Sequence, residues 1–155
     1  MTKLQRLRRR HVVTRAGVTV LSLLAALAAS AAAAPPGPPP KVAGVSDAPP
    51  PAWIEAGAVE KWLAYSSYCW KTACVDFVPP SMRKDIPVLT VRRGRLVKLH
   101  LRFEPAVLSV SQGAKTTRLA SARVAAWRPA AGLATFFARP RTGGDASYVI
   151  RIRFR

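Results

Sequence analysis

The stretch Leu96-Val97-Lys98-Leu99-His100-Leu101-Arg102-Phe103 decides the fold. Val97, Leu99, Leu101 and Phe103 are apolar, and the residues between them, Lys98, His100 and Arg102, are polar. Alternation with a period of two belongs to a β-strand that hides one face and wets the other. The same rhythm returns at the C-terminal end. There Tyr148, Ile150, Ile152 and Phe154 alternate with Arg151, Arg153 and Arg155.

Working outward, the chain from Trp53 onward is made of similar short runs punctuated by Gly and Pro, the pattern of an all-β domain. Trp53–Ala56 and Val59–Tyr65 flank Gly57 and suit a hairpin. Tyr65–Trp70 and Cys74–Phe77 bracket the loop Lys71-Thr72-Ala73, and Pro79-Pro80 ends their pairing. Ile86–Val91, the turn Arg92-Arg93-Gly94-Arg95 and Leu96–Phe103 read as a second hairpin. Val107, Leu108 and Val110 follow, then Leu133–Arg139, and Thr142-Gly143-Gly144-Asp145 turns into the last strand. Thr116–Trp127 suits two short strands by its Thr, Val and Trp, and a helix by its alanines; strands are favoured. Seven to nine strands in about 100 residues fit a two-sheet sandwich.

The N-terminal third has a different character. Lys3, Arg6, Arg8, Arg9, Arg10 and Arg15 precede the uncharged run Ala16–Ala34, which closes on four alanines before Pro35. A basic start, an apolar centre and a small-residue end are the parts of a secretory signal helix over residues 1–34. The alternative is an uncleaved membrane anchor, because 19 uncharged residues just span a bilayer. Arg9-Arg10-His11-Val12-Val13 partly matches a twin-arginine signal, so either export route stays open, and no cysteine stands near the cleavage site for a lipid anchor. Pro35–Pro51 is rich in Pro and Ala and lacks large apolar residues. It reads as a disordered, polyproline-like spacer ahead of a domain at 52–155.

Charge narrows the partners. The full chain carries 25 basic and seven acidic residues, a formal net charge of +18. Removing the signal takes away six bases and no acid, so the remainder keeps 19 bases against seven acids. Such an excess repels itself unless an anion screens it. For an exported protein the candidate partner is an anionic envelope component: a wall polymer, an acidic lipid or nucleic acid. No specific nucleic acid is indicated, because aromatics are not interleaved with the basic residues. Two strips would carry such binding, Lys98 with Arg102, and Arg151 with Arg153 and Arg155. Side chains on one strand face recur about 7 Å apart, as Arg151, Arg153 and Arg155 do, and as Lys98 and Arg102 do with His100 between them. The competing reading of either strip is a solvated face that protects a sheet from edge association.

Cys69 and Cys74 are the only cysteines, and export favours their oxidation to a disulfide. So small a loop contributes roughly 2 kcal/mol of unfolded-state entropy. The aromatic group Trp53, Trp62, Tyr65, Tyr68 and Trp70 surrounds this hairpin and serves either as core or as a stacking surface. Tyr68 and Trp70 are the candidate ligand contacts.

No catalytic set is visible. His100 is the only histidine beyond the signal and reads as a solvated strand residue beside Lys98 and Arg102. The carboxylates are scattered over turns and strand ends without the close pairing that sugar hydrolysis needs, and Asp76 reads as a turn or ion-pair residue. No Gly-rich phosphate loop, metal-ligand spacing or nucleophile motif is present, so no cofactor and no metal are expected. The expected function is a non-catalytic binding or structural module. A dedicated polyanion binder is one alternative, and a secreted enzyme or inhibitor with an unrecognised site is another.

Two resemblances accompany this reading. The pattern Arg93–Leu101 and the run Gly144-Asp145-Ala146-Ser147-Tyr148 resemble parts of immunoglobulin-like sandwiches, without the inter-sheet disulfide. The run Ser67-Tyr68-Cys69-Trp70 with Cys74-Val75-Asp76 is similar to a motif of small exported proteins of high-GC Gram-positive bacteria. In those the loop between the cysteines is longer and glycine-rich. The resemblance implies export, the disulfide and the β fold, and it brings no biochemical activity.

The mass of the unreduced exported protein checks the targeting and redox expectations together. It should correspond to a chain starting at Pro35 and lacking two hydrogens. A chain starting at Met1 with free thiols would overturn both.

Overall fold

The computed structural model of the chain describes residues 34–42, 44, 45 and 47–155. The signal helix expected over 1–34 lies outside them, apart from Ala34.

Eleven strands follow in order: β1 Trp53–Ala56, β2 Val59–Trp62, β3 Ala64–Trp70, β4 Ala73–Val75, β5 Val88–Val91, β6 Val97–His100, β7 Pro105–Gln112, β8 Lys115–Arg118, β9 Val124–Trp127, β10 Gly132–Pro140 and β11 Asp145–Phe154. One 3₁₀ turn, Pro80–Met82, interrupts them. The smaller sheet has the order β2-β1-β6-β9. The larger has the order β4-β3-β11-β10-β7-β8, with β5 also on β11. The two sheets pack face to face, so the domain is an all-β sandwich of immunoglobulin-like architecture, and Thr116–Trp127 resolves into the two strands β8 and β9.

Period-two burial builds this arrangement. In β11 Tyr148, Ile150 and Ile152 point inward and are fully buried. Phe136 and the alanines 134 and 138 of β10 lie beside them, and Ile54, Val97, Leu99 and Trp127 close the core from the other sheet. Small residues leave room for large ones: Trp127 meets Phe136 edge to face at 4.9 Å. Val149 faces the opposite way in β11 but is also fully buried, under Ile86 and against Ala64.

Two expectations are corrected. The Arg92–Arg95 segment is a turn, with the Arg95 N–H donating to the Arg92 carbonyl at 3.1 Å, but it does not close a hairpin. It carries the chain from the large sheet to the small one. β5 pairs in parallel with β11, Val91 opposite Phe154, while both edges of β6 are taken by β1 and β9. Turn residues specify a reversal of the chain and leave open which strands it joins.

The Pro35–Pro51 segment is not a detached spacer. Pro49 is fully buried, and Val42 and Ala48 pack against the core. The Tyr65 hydroxyl donates to the Pro49 carbonyl at 2.6 Å, Tyr148 to that of Pro50 at 2.7 Å, and the Trp62 indole to that of Gly37 at 3.2 Å. Prolines suit this role for two reasons. Their ordering costs little entropy, and their carbonyls have no competing partner in an extended chain. The hydroxyls of Tyr65 and Tyr148 need acceptors, and the strap supplies them.

Replacing both Tyr65 and Tyr148 with Phe should cost about 1 kcal/mol per lost bond in chemical denaturation. It should also open the Lys41 region to limited proteolysis. Unchanged stability and protection would mean that the strap is not held through these hydroxyls.

Candidate functional site

The cysteine hairpin is assembled as expected. Cys69 and Cys74 are directly opposite in β3 and β4, 4.0 Å apart at Cα, and are joined by a disulfide. The turn is tight enough to put Lys71 at φ 51°. Gly144 packs against the bridged strand so closely that a Cβ there would come within 2.8 Å of the Cys69 carbonyl oxygen. Only glycine lets the β10–β11 turn reach this point.

The two aromatic candidates part company here. Trp70 is half-buried, with its ring 5.1 Å from that of Phe103. Tyr68 is only 2% exposed and belongs to the core, which removes it as a ligand contact. Burial pushes its hydroxyl pKa upward, and that of Tyr65 to about 12. The inward face of β3 wins Tyr68 because the hairpin lies over the sandwich.

The Lys98–Arg102 strip is corrected as well. His100 is 3% exposed rather than solvated. Its β1 cross-strand partner, Trp53, stacks on it with ring centroids 4.8 Å apart and planes 5° from parallel. The Nε2–H of His100 donates to Glu55 Oε2 at 3.0 Å, and Lys98 Nζ donates to Glu55 Oε1 at 2.8 Å. Arg102 extends over Trp53 and Trp62, its guanidinium carbon 6.0 and 5.7 Å from their rings. The strip is therefore an aromatic and ionic network within the small sheet, with Lys98 neutralised. Alternation placed these residues on the outer face, where Trp53 of the neighbouring strand covers His100 and leaves Lys98 and Arg102 exposed.

Unpaired basic residues are spread over the domain, but one end of the sandwich gathers a cluster of them without an acidic side chain. Register brings five segments there: the β1–β2 turn at 57–58, the β5–β6 link at 92–95, the β7–β8 turn at 113–115, residues 128–131 after β9, and the end of β11. They contribute Arg92, Arg93, Arg95, Lys115, Arg128, Arg153 and Arg155, all exposed, and no acidic side chain. Of the C-terminal strip, Arg153 and Arg155 belong to this end, while Arg151 is half-buried and further along β11. Glu55 and Glu60 are the nearest acids, one cross-strand pair along β1 and β2, and Lys98 engages Glu55. Asp47, Glu104 and Asp145 lie toward the opposite end, where Lys71 and Thr72 hold Asp47. The Thr72 hydroxyl, more than Lys71, keeps the Asp47 carboxyl below its ordinary range.

The charged end was only partly readable in advance. Arg92, Arg93 and Arg95 pass for turn residues, and Lys115 and Arg128 for scattered surface charge. The signal available was three arginines around one glycine. What was missing was the pairing that gathers five distant segments.

No family model, curated protein or solved structure matches the chain. Fold and surface define its class, a disulfide-bearing β-sandwich with an acid-free cationic end. Among the described residues no helix is long and apolar enough to cross a membrane.

Glu55 offers a test of the network on the small sheet. The Lys98 hydrogen bond, followed by that from His100, holds its carboxyl below the usual 4.5 against the opposing effect of burial. A carboxyl depressed in the folded state stabilises fully above its unfolded value and loses that contribution as pH falls through the folded one. Glu55→Gln should thus cost about 1–2 kcal/mol at pH 7, where both partners lose a charged acceptor. The parent and variant should converge as the pH is lowered below 4.5 in urea denaturation curves.

Proposed function

We propose that this protein is an exported, non-catalytic binding module that holds a repeating polyanion of the cell envelope through the cationic end of its sandwich. The observation that carries the reading is the segregation of charge. Seven basic side chains converge from four segments at one end, without an acidic side chain among them. An even surface distribution would give the same net charge with far less local potential. Concentrated at one end, the charges attract an anionic polymer over a distance of about 10 Å at ordinary salt, and each contact releases a counterion.

Other features support the same reading. The disulfide suits an oxidising compartment outside the cytoplasm, in keeping with the signal read in residues 1–34. His100, the only histidine among the described residues, is buried against Trp53 and engaged by Glu55, so it is withdrawn from service as an accessible general base.

Retention on immobilised heparin and on purified cell-wall polymer, measured across a salt gradient, tests the proposal. Changing Arg93, Arg95 and Arg155 to Gln should reduce the slope of log affinity against log salt by about three. Changing Arg123, Arg139 and Arg141, which remove the same charge elsewhere, should have a much smaller effect. Equal effects from the two triple variants would show that net charge alone is responsible, and the proposal would fall.

A further inference from the structure

Within the cationic end, the geometry points to one discrete site: a pocket that binds a single phosphate group of a phosphodiester polymer. This inference rests on the polyanion reading for its ligand class and adds a defined place with its own selectivity. The pocket has a volume of about 280 Å³ and lies between the β1–β2 turn, the β5–β6 link and the end of β11. Arg92, Arg95 and Arg155 line it together with Thr90 and the backbone around Gly57, and no acidic side chain does. The volume leaves ample room for a phosphate and its ester carbons.

The neighbouring arginines are committed elsewhere, and that commitment builds the site. Arg128 donates from Nη1 to the Gly94 carbonyl, and the Arg93 guanidinium lies over the Phe154 ring at 5.3 Å. These contacts brace the turn that carries Arg92 and Arg95. The Arg155 N–H donates to the Val91 carbonyl at 3.1 Å, which fixes the third arginine beside the link. Gly57, at φ 68°, brings the β1–β2 backbone against Arg95, and a Cβ there would stand 3.2 Å from Arg95 Nη2. Among the described residues none of the three pocket guanidiniums has a hydrogen-bonding acceptor or an ion-pair partner. Glu60, the nearest free carboxylate, alternates onto the outward face of its sheet, away from the pocket.

Three guanidiniums lining one pocket without an acidic side chain repel one another. A bound oxyanion reverses that sign. Guanidinium forks meet phosphate oxygens two at a time, so the arrangement selects phosphate over chloride, and arginine over lysine at the same positions. The Thr90 hydroxyl is a further donor at the wall.

The test titrates inorganic phosphate, then a glycerol-phosphate oligomer, into the ¹⁵N-labelled protein at constant ionic strength. Saturable amide shifts should be confined to Gly57, Arg92, Gly94, Arg95 and Arg155, and the oligomer should displace inorganic phosphate. Arg95→Lys, which keeps the charge and loses the fork, should weaken phosphate binding by about tenfold, the equivalent of 1.4 kcal/mol. Shifts that never saturate or that spread over all basic residues would overturn the site, as would an Arg95→Lys variant that binds phosphate like the parent. Binding of inorganic phosphate that the oligomer cannot displace would overturn the polymer assignment. Loss of heparin retention in the parent protein is the separate outcome that defeats the broader polyanion reading.

Discussion

The pairing of β11 is the constraint from which the rest of the molecule follows. One edge of this strand carries β10 along most of its length. The other is divided: β3 takes the first half antiparallel, and β5 takes the second half in parallel. Its inward side chains, Tyr148, Ile150 and Ile152, are fully buried, and so is the outward Val149. A strand hydrogen-bonded on both edges, with one face in the core, has no freedom to slip register, since a slip of one residue would exchange Ile150 and Ile152 for arginines in the core. That fixed register sets Phe154 opposite Val91 and thereby brings Arg155 to the Arg92–Arg95 link.

The same strand anchors the proline-rich strap, because the Tyr148 hydroxyl reaches from the edge of the core to the Pro50 carbonyl. Strap and sandwich are one folding unit in consequence. The aromatic residues therefore serve structure first. Tyr65 and Tyr148 hold the strap, Tyr68 and Trp127 fill the interior, and Trp53 covers His100. Of the aromatic group around the disulfide, Trp62 and Trp70 remain half-buried, Trp70 at the hairpin itself.

Charge obeys a different rule from apolar packing. Lys98, Arg83 and Lys71 have acid partners and are neutralised where they stand. Seven acids cannot serve 19 bases, and part of the surplus gathers where chain reversals project into solvent at one end of the sandwich. Turn segments tolerate arginine because its long stem extends away from the sheet and keeps the charge hydrated. Arg93 over Phe154 and Arg128 on the Gly94 carbonyl show two ways in which the surplus is put to structural use.

The fold was legible in the residues because burial in a strand repeats every second position. Val97, Leu99 and Leu101 announce their inward face without help from any neighbour, and so do Tyr148, Ile150 and Ile152. The paired cysteines, the turn glycines and the excess of arginine were equally local signals. Three matters belonged to the tertiary structure alone: which strands a turn connects, what covers an outward face, and which distant charges become neighbours. Arg92–Arg95 resembled a hairpin until β11 claimed β5, His100 looked wet until Trp53 lay across it, and the proline segment looked detached until tyrosyl hydroxyls claimed its carbonyls. The physical reason is the same in each case. Alternation is a property of one strand, whereas strand pairing, coverage and electrostatic clustering depend on segments separated by many residues, and only the folded chain brings those together.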